Sequence, residues 1–534
     1  MGDHSDQSSR CHGLDYLPMP TDPAVRIDGR SLTLEDVEAI ARHGARAELD
    51  PAAAAATEAT YRLNQEIVGA GTTVYGVTTG VGDSVGRKVA TGGANLLQES
   101  LIRLNGCGTG PDLAEDHARA VVVARANCLA RGNSAVRPLI PEMMLQLLNL
   151  GFAPAIPEQG SIGASGDLVP SSYIGAVLMG DREVLRKGQR LPASEVWREV
   201  GREPVRLHAK EGLAILNGTC FMTGIGALAV LDAERLAETV DACTAMTCEG
   251  LTGITGPFDP FIQSVKPHPG QARSAARVLA LVRGSGLVTD YDEAVAAGRR
   301  VQDNYSLRCA PQCNGMLYDT VSWAREWIER ELNSANDNPL YDAATGRVHS
   351  GGNFSGFHVA LAMDSLRTAV ASVGDLVDRQ FQLLVDEKYS AGLPANLSPE
   401  LAQDHEEYGT QHGFKSFQIA LSSLAAEALG RCMPMSAFSR STEAHNQDKV
   451  SMGAAAARAT RDVVEIVQRC CAMHLLGACQ AADLRGAARL GEGTAEVHRR
   501  IRAVSPFVDR DRPLQGDIIA VAGLLKSGQL LAGL

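Results

Sequence analysis

The tripeptide Ala164-Ser165-Gly166, set in the segment GSIGASGDLVP from Gly160 to Pro170, is a place where the chain could build an electrophile out of itself. The peptide nitrogen after Ser165 belongs to a glycine, so no side chain shields it. If that nitrogen attacks the carbonyl carbon of Ala164 and two waters leave, the product is a five-membered ring bearing an exocyclic methylidene, a strong electrophile. The glycines at 160, 163 and 166 also invite comparison with phosphate-cradling loops. The segment has neither GxxxxGK followed by Ser or Thr nor GxGxxG, which argues against that use. Ala-Ser-Gly alone is an ordinary turn sequence, so the rest of the chain must decide between the readings.

Five other segments carry residues suited to the same chemistry. YGVTTGVGDS holds Tyr75 among Gly76, Gly80 and Gly82, and KEGLAILNGT holds Asn217. VQDNYSLRCAPQ contains Tyr305 and Arg308, NSANDNPL is followed by SGGNFSGFHVA with Asn353 and Phe354, and STEAHNQDKVSM contains Gln447. Each has a plain alternative: Tyr75 as a buried tyrosine at a strand end, Asn217 as a turn or cap residue, Phe354 as part of a loop and helix start.

GSIGASGDLVP resembles the cofactor-forming loop of the histidine, phenylalanine and tyrosine ammonia-lyases and related aminomutases. The other segments resemble that family's motifs in the family's order, across residues 25 to 534. The resemblance implies a 4-methylidene-imidazole-5-one group (MIO) formed from Ala164, Ser165 and Gly166, with no external cofactor and no metal. It implies Tyr75 as the base for the substrate's β-proton, Tyr305 as a second active-site tyrosine, and Asn217 in contact with cofactor and substrate. It also implies Arg308 as the grip on the substrate carboxylate, for which a planar fork of donors is suited, and Phe354 as support for the cofactor. Gln447 stands where histidases carry glutamate and phenylalanine and tyrosine lyases carry glutamine. The implied reaction removes ammonia from an aromatic L-amino acid and leaves an α,β-unsaturated arylacrylic acid. A phenol with a reference pKa of about 10 is a poor base at neutral pH, so Tyr75 is expected to need a depressed pKa and a loop that closes over it.

Substrate choice in the family depends partly on a residue pair that falls here at Leu104 and Asn105, within LQESLIRLNGCG. Leu104 offers an apolar wall, and Asn105 offers both a donor and an acceptor. With Gln447, the pair favours tyrosine or phenylalanine over histidine. An aminomutase that returns ammonia to the β-carbon would use the same residues, and a non-catalytic helical scaffold is the remaining alternative. Family members are homotetramers with active sites shared between subunits, so the same assembly is expected here.

These residues need a framework. At 534 residues, with 45% hydrophobic but only 4% aromatic content, the chain can bury a large core, and its Ala- and Leu-rich composition favours helices. The net charge of −12 argues against a nucleic-acid or anionic-membrane partner. The polar start MGDHSDQSSRCHG does not read as a secretory signal, and a cytoplasmic location is expected. The 12 cysteines form no CxxC pair, so a metal or disulfide framework is not expected. Residues 1–24 read as a loose tail and 25–218 as a mixed head with a short element at Val74 to Val77. The head also includes an Ala-rich helix over 51–68 and a short helix over Pro141 to Leu150. Residues 219–534 read as a bundle of long helices, so the fold class is mainly α, and the resemblance implies the histidine ammonia-lyase fold. Val359, Met363, Leu366, Val370, Val373, Val377, Phe381 and Leu384 fall on one helical stripe. Its candidate partners are Ala227 to Val240, Val321 to Leu332, Phe414 to Leu429 and Val463 to Leu476.

Overall fold

The computed structural model describes residues 24–298 and 301–534, so the tail expected over 1–24 lies outside the described residues except for its last position. The apolar stripe forms one face of the 29-residue Phe357–Val385 helix, and all eight of its residues are fully buried. The helix packs against Cys220–Gly250, Ala310–Leu332, Lys415–Gly430 and Gly453–Arg485, which contain the four expected partner segments except for Phe414, the N-cap of the third helix. The bundle is mostly helical, as the periodicity predicts.

Small residues let the helices approach. Gly477 of the Gly453–Arg485 helix lies directly against the Phe381 ring, which would collide with any side chain there. Phe381 also meets Phe414, Phe417 and His474 at ring-centroid distances of 6.4, 6.1 and 5.9 Å. His474 is fully buried with Nε2 2.8 Å from Thr247 Oγ1, and burial pushes its pKa down to about 3, so it sits in the core as a neutral ring.

The head combines short strands with helices. Val25–Ile27 pairs in parallel with Ala47–Leu49, and Thr109–Asp112 pairs antiparallel with Pro157–Gln159. A three-stranded antiparallel sheet joins Ala153–Pro154, Glu183–Arg186 and Gln189–Pro192. The Ala-rich segment is the Pro51–Gly69 helix, capped by Asp50, whose side chain accepts from the N–H groups of Ala52 and Ala53. One hydrophobic cluster draws residues from Ile27 to Leu530, so head and bundle share a core.

Two local expectations differ from the structure. Val74 to Val77 is a tight turn, because Thr78 Oγ1 accepts the Val74 N–H at 2.7 Å and Gly76 takes φ +66°. Apolar Val74 and Val77 are still buried, in a small separate cluster with Ala135 and Tyr341. The helix expected to open with Pro141 begins at Leu139. Pro141 falls in its first turn, where a missing N–H costs no intrahelical bond. Among the described residues no helix is long and apolar enough to cross a membrane.

The Phe381 cluster joins three helices. Phe381→Ala is expected to cost about 3–5 kcal/mol of stability, read as a lower denaturant midpoint; an unchanged midpoint would mean that the aromatic cluster is not part of the cooperative core.

Candidate active site

The site starts from a pairing of two glycines. Gly166 and Gly218 form an isolated parallel bridge in which the Gly218 N–H donates to Ser165 O at 3.2 Å and the Asp167 N–H donates to Gly218 O at 2.7 Å. In such a bridge the partner residue bonds the groups on either side of the central one, so the N–H of Gly166 is not used in the pairing. Gly166 has φ +72° and Gly218 φ +138°, and a Cβ on Gly166 would overlap the Gly218 carbonyl. Both positions therefore require glycine.

Two further contacts hold the loop. Gly163 O accepts the Ser451 N–H at 3.2 Å and Ser451 Oγ at 3.0 Å, while Ile162 O accepts the Met452 N–H. Asp167, fully buried, accepts from Ser161 Oγ at 2.7 Å and from the Met222 N–H at 3.0 Å. Met222 is the third residue of the Cys220–Gly250 helix, so this carboxyl ties the loop to a helix N-terminus. Burial pushes the Asp167 pKa up to about 6 against the lowering effect of these hydrogen bonds.

Gln447 reaches the loop from a hairpin. Its Nε2 donates to Ser165 Oγ at 3.2 Å, and its Oε1 accepts from Thr442 Oγ1 at 3.2 Å. Between Thr442 and Gln447, the residues Glu443, Ala444 and His445 have φ of +51°, +51° and +67°. Three successive left-handed non-glycine residues are strained, at a cost of about 1–2 kcal/mol each. The turn places the Glu443 carboxylate in the space that a side chain on Gly82 would occupy.

Gly82 in turn donates its N–H to Tyr75 Oη at 2.8 Å. The pKa of Tyr75 is raised, first by burial and further by the charge of Glu443, with the Gly82 hydrogen bond opposing. This corrects the expectation of a depressed pKa: the half-buried phenol lies beside a carboxylate rather than a cation.

Asn217 ends the Glu211–Leu216 helix, with its N–H on Leu213 O at 2.8 Å, and leads directly into Gly218. Its side chain is buried and Oδ1 has no hydrogen-bond partner, an orphaned acceptor of the kind a bound group would satisfy. Ala164 is 6% exposed. The Gly166 nitrogen left out of the pairing, the amide on Ser165 Oγ and the orphaned Asn217 Oδ1 together fit the MIO ring. Phe354 is half-buried in the loop before the Phe357–Val385 helix; two residues on, Gly356 lies against Met222 and the Thr219 methyl. Asn353 Nδ2 donates to Ala335 O at 3.2 Å.

Leu104 and Asn105 stand at the end of the Ala94–Leu104 helix. Leu104 is 73% exposed, and Asn105 Nδ2 donates to Leu101 O at 2.9 Å. Tyr305 and Arg308 lie on a short helix, with the guanidinium 4.5 Å from the tyrosine ring centroid. Arg308 lines a surface cavity of about 590 Å³ with Tyr291, Gln302 and Asp303, a lining that includes none of Tyr75, Ser165, Asn217 or Gln447. One chain thus gathers Tyr75, Ala164, Ser165, Gly166, Asn217 and Gln447, and places Arg308, stacked on Tyr305, at a different opening.

The sequence analysis does not single out Asp167, Gly218, Glu443 or Ser451, although all four lie inside recognised segments. A carboxylate at the head of the apolar LVP run was a usable signal for Asp167. Nothing in the spacing signals the backbone strain that aims Glu443.

The family model for aromatic amino acid lyases matches residues 32–503. The chain belongs to this family. The lyase is 40% identical over 512 residues to a histidine ammonia-lyase of Sorangium cellulosum, covering 94% of this chain and 98% of that protein. Among solved structures it is similar to the tyrosine aminomutase from Streptomyces globisporus, with TM-score 0.89, 37% identity and 95% and 98% of the two chains covered. It is likewise similar to histidine ammonia-lyase from Trypanosoma cruzi, with TM-score 0.86, 35% identity and coverage of 95% and 94%. The lyase therefore has the fold of the histidine and phenylalanine ammonia-lyases and is a carbon-nitrogen lyase.

Beneath the loop of the lyase, Thr219 Oγ1 donates to Glu331 Oε1 at 2.5 Å. Burial, and to a lesser extent the charge of Asp167, pushes the Glu331 pKa up to about 7. A carboxyl whose folded pKa is raised contributes stability below its unfolded value and loses it as pH rises through the folded one. Glu331→Gln, which cannot ionise, should gain thermal midpoint relative to the native chain between about pH 5 and pH 8. Thermal melts across that range check this, and a constant difference would show that Glu331 does not titrate there.

Proposed function

We propose that the protein eliminates ammonia from an aromatic L-amino acid, using an MIO group formed from its own Ala164, Ser165 and Gly166. The observation that carries this reading is the Gly218 bridge, which holds Ser165 and Asp167 while leaving the Gly166 nitrogen free of the pairing. Ring closure joins that nitrogen to the Ala164 carbonyl carbon. The carbonyl oxygen leaves as water with the amide hydrogens of Gly166 and Ser165. Ser165 Oγ leaves as a second water with the Cα hydrogen, and Gln447 Nε2, already donating to that oxygen, supports its departure. The finished group supplies an electrophile that turns the substrate's amine into a leaving group.

The protein's side chains do the rest. Tyr75 takes the β-proton, and the Gly82 N–H on Tyr75 Oη stabilises the charge that develops when the phenol ionises. Asn217 Oδ1 offers an acceptor within the site. Arg308, stacked on Tyr305, grips the substrate carboxylate. Because Arg308 faces a different opening from Ser165 on the same chain, these two residues act in the site of a neighbouring copy, which accords with a homotetramer.

Tyrosine is the favoured substrate. The Asn105 amide nitrogen is engaged on Leu101 O, which leaves its carbonyl oxygen as an acceptor suited to a ring that carries a donor, as tyrosine's hydroxyl does and phenylalanine lacks. Gln447 favours the same class. Histidine is the second reading, supported by the 40% identity to histidine ammonia-lyases and by the imidazole N–H as an equivalent donor.

Purified protein incubated separately with L-tyrosine, L-phenylalanine and L-histidine tests the assignment through arylacrylate absorbance, released ammonia and β-amino acid. Arylacrylate and ammonia from tyrosine are expected. Turnover of histidine alone would replace the substrate, and accumulating β-amino acid would make the protein an aminomutase. Tyr75→Phe should lower turnover by about 10²–10⁴-fold while keeping the mass deficit of about 36 Da that two lost waters leave. With the Tyr75 pKa raised above its ordinary value of about 10, the base form becomes more abundant as pH rises, so kcat/KM should climb through the alkaline range. A flat alkaline profile would remove Tyr75 from the role of base.

A further inference from the structure

We propose that Thr219 and Glu331 are positioning residues for closure of the Ala164-Ser165-Gly166 ring, acting through Gly218. The inference rests on the reading that the ring forms. It starts from a threonine doing unexpected work.

Thr219 is the N-cap of the Cys220–Gly250 helix, a position where a hydroxyl ordinarily accepts an N–H from the helix's first turn. Thr219 makes no such bond. The Met222 N–H goes instead to the carboxyl of Asp167, across the chain. The threonine hydroxyl, relieved of capping, donates to Glu331 Oε1 at 2.5 Å.

Glu331 lies in the last turn of the Ala310–Leu332 helix, and the segment that follows grips the same threonine a second time, at its backbone. Asn336 Oδ1 accepts the Thr219 N–H at 3.2 Å, and Asn336 Nδ2 donates to Ser334 Oγ at 3.1 Å. The fully buried Arg125 guanidinium and Asn336 together fill the space beside Gly218 where a side chain would project. Gly218 is thus packed against Arg125 and Asn336, while Glu331 and Asn336 clamp the residue that follows it.

The clamp has a chemical purpose. Gly218 sits at φ +138°, a conformation open only to glycine, and glycine is the residue with the most freedom to leave it. Its N–H must stay on Ser165 O and its carbonyl on the Asp167 N–H for the Gly166 nitrogen to remain aimed away from the pairing. Fixing Thr219 at both its N–H and its hydroxyl fixes the carbonyl of Gly218, because that carbonyl and the Thr219 N–H share one peptide plane. The covalent step needs no further reactant: the Gly166 nitrogen bonds to the Ala164 carbon, and two waters depart with the atoms already present. Putting a carboxyl in a partly buried position is costly without a partner, and the elimination scheme does not use Glu331. Holding Gly218 gives it a role.

The test reads ring closure on folded protein, by intact mass together with helical circular dichroism. Native protein should show the two-water deficit of about 36 Da in essentially all molecules. Thr219→Val and Glu331→Leu should fold, yet mature at least ten-fold more slowly, so that freshly purified folded protein is mostly at full mass. Thr219→Ser and Glu331→Gln keep the hydroxyl and its acceptor and should mature as the native chain does. Should either disruptive variant be insoluble, Thr219→Ala, which removes the hydroxyl without added bulk, carries the same expectation. A merely structural role would lower the thermal midpoint and leave every folded molecule dehydrated; folded Thr219→Val or Thr219→Ala at full two-water deficit would overturn the proposal. Native protein without the deficit would instead remove the ring-forming reading, and this inference with it.

Discussion

The pairing of Gly218 with the residues on either side of Gly166 is the constraint on which the site depends. It is a backbone interaction, two hydrogen bonds of 3.2 and 2.7 Å between loops about fifty residues apart in sequence. A side-chain contact could not replace it, since a Cβ on Gly166 would collide with the Gly218 carbonyl.

The long helices enter the chemistry through their ends. The Cys220–Gly250 helix begins two residues after Gly218 and offers its Met222 N–H to Asp167, while the Ala310–Leu332 helix ends beside Thr219. The bundle's tight packing, with Phe381 pressed on Gly477 and Gly374 near Val467, makes those ends rigid. A loop strung between flexible elements could not keep two glycines in their unusual conformations.

The base end of the site is arranged differently. Tyr75 is held by one N–H from Gly82, and Gly82 is the place where the strained Glu443 hairpin meets the tyrosine loop. The same hairpin carries Gln447 onto Ser165. One strained segment therefore reaches both the tyrosine loop, at Gly82, and Ser165, and its negative charge adds to the effect of burial in raising the Tyr75 pKa. Arg308 lines another opening of the molecule, whose lining does not include Ser165, so these two residues are separate features of one chain.

The sequence by itself determined the helical bundle, because burial repeated every three or four residues admits one geometry, and all eight stripe residues of the Phe357–Val385 helix are buried. It determined the family as well, since Ala164-Ser165-Gly166, Tyr75, Asn217 and Gln447 stand in recognisable segments whose order matches the aromatic amino acid lyases. Only the tertiary structure decided what those residues do to one another. Val74 to Val77 reads in sequence as a short element and is a turn, because Thr78 caps it and Gly76 is left-handed. The sign of the Tyr75 shift came first from burial, and Glu443, more than three hundred and fifty positions away and brought there by backbone angles that leave no trace in residue type, adds to it. Asp167 and Glu331 look alike in sequence to any surface acid; it is burial next to Met222 and Thr219 that raises their pKa values and ties them to the loop. Local spacing specifies which residues share a face, whereas charge, proton affinity and strain depend on neighbours that only the folded chain assembles.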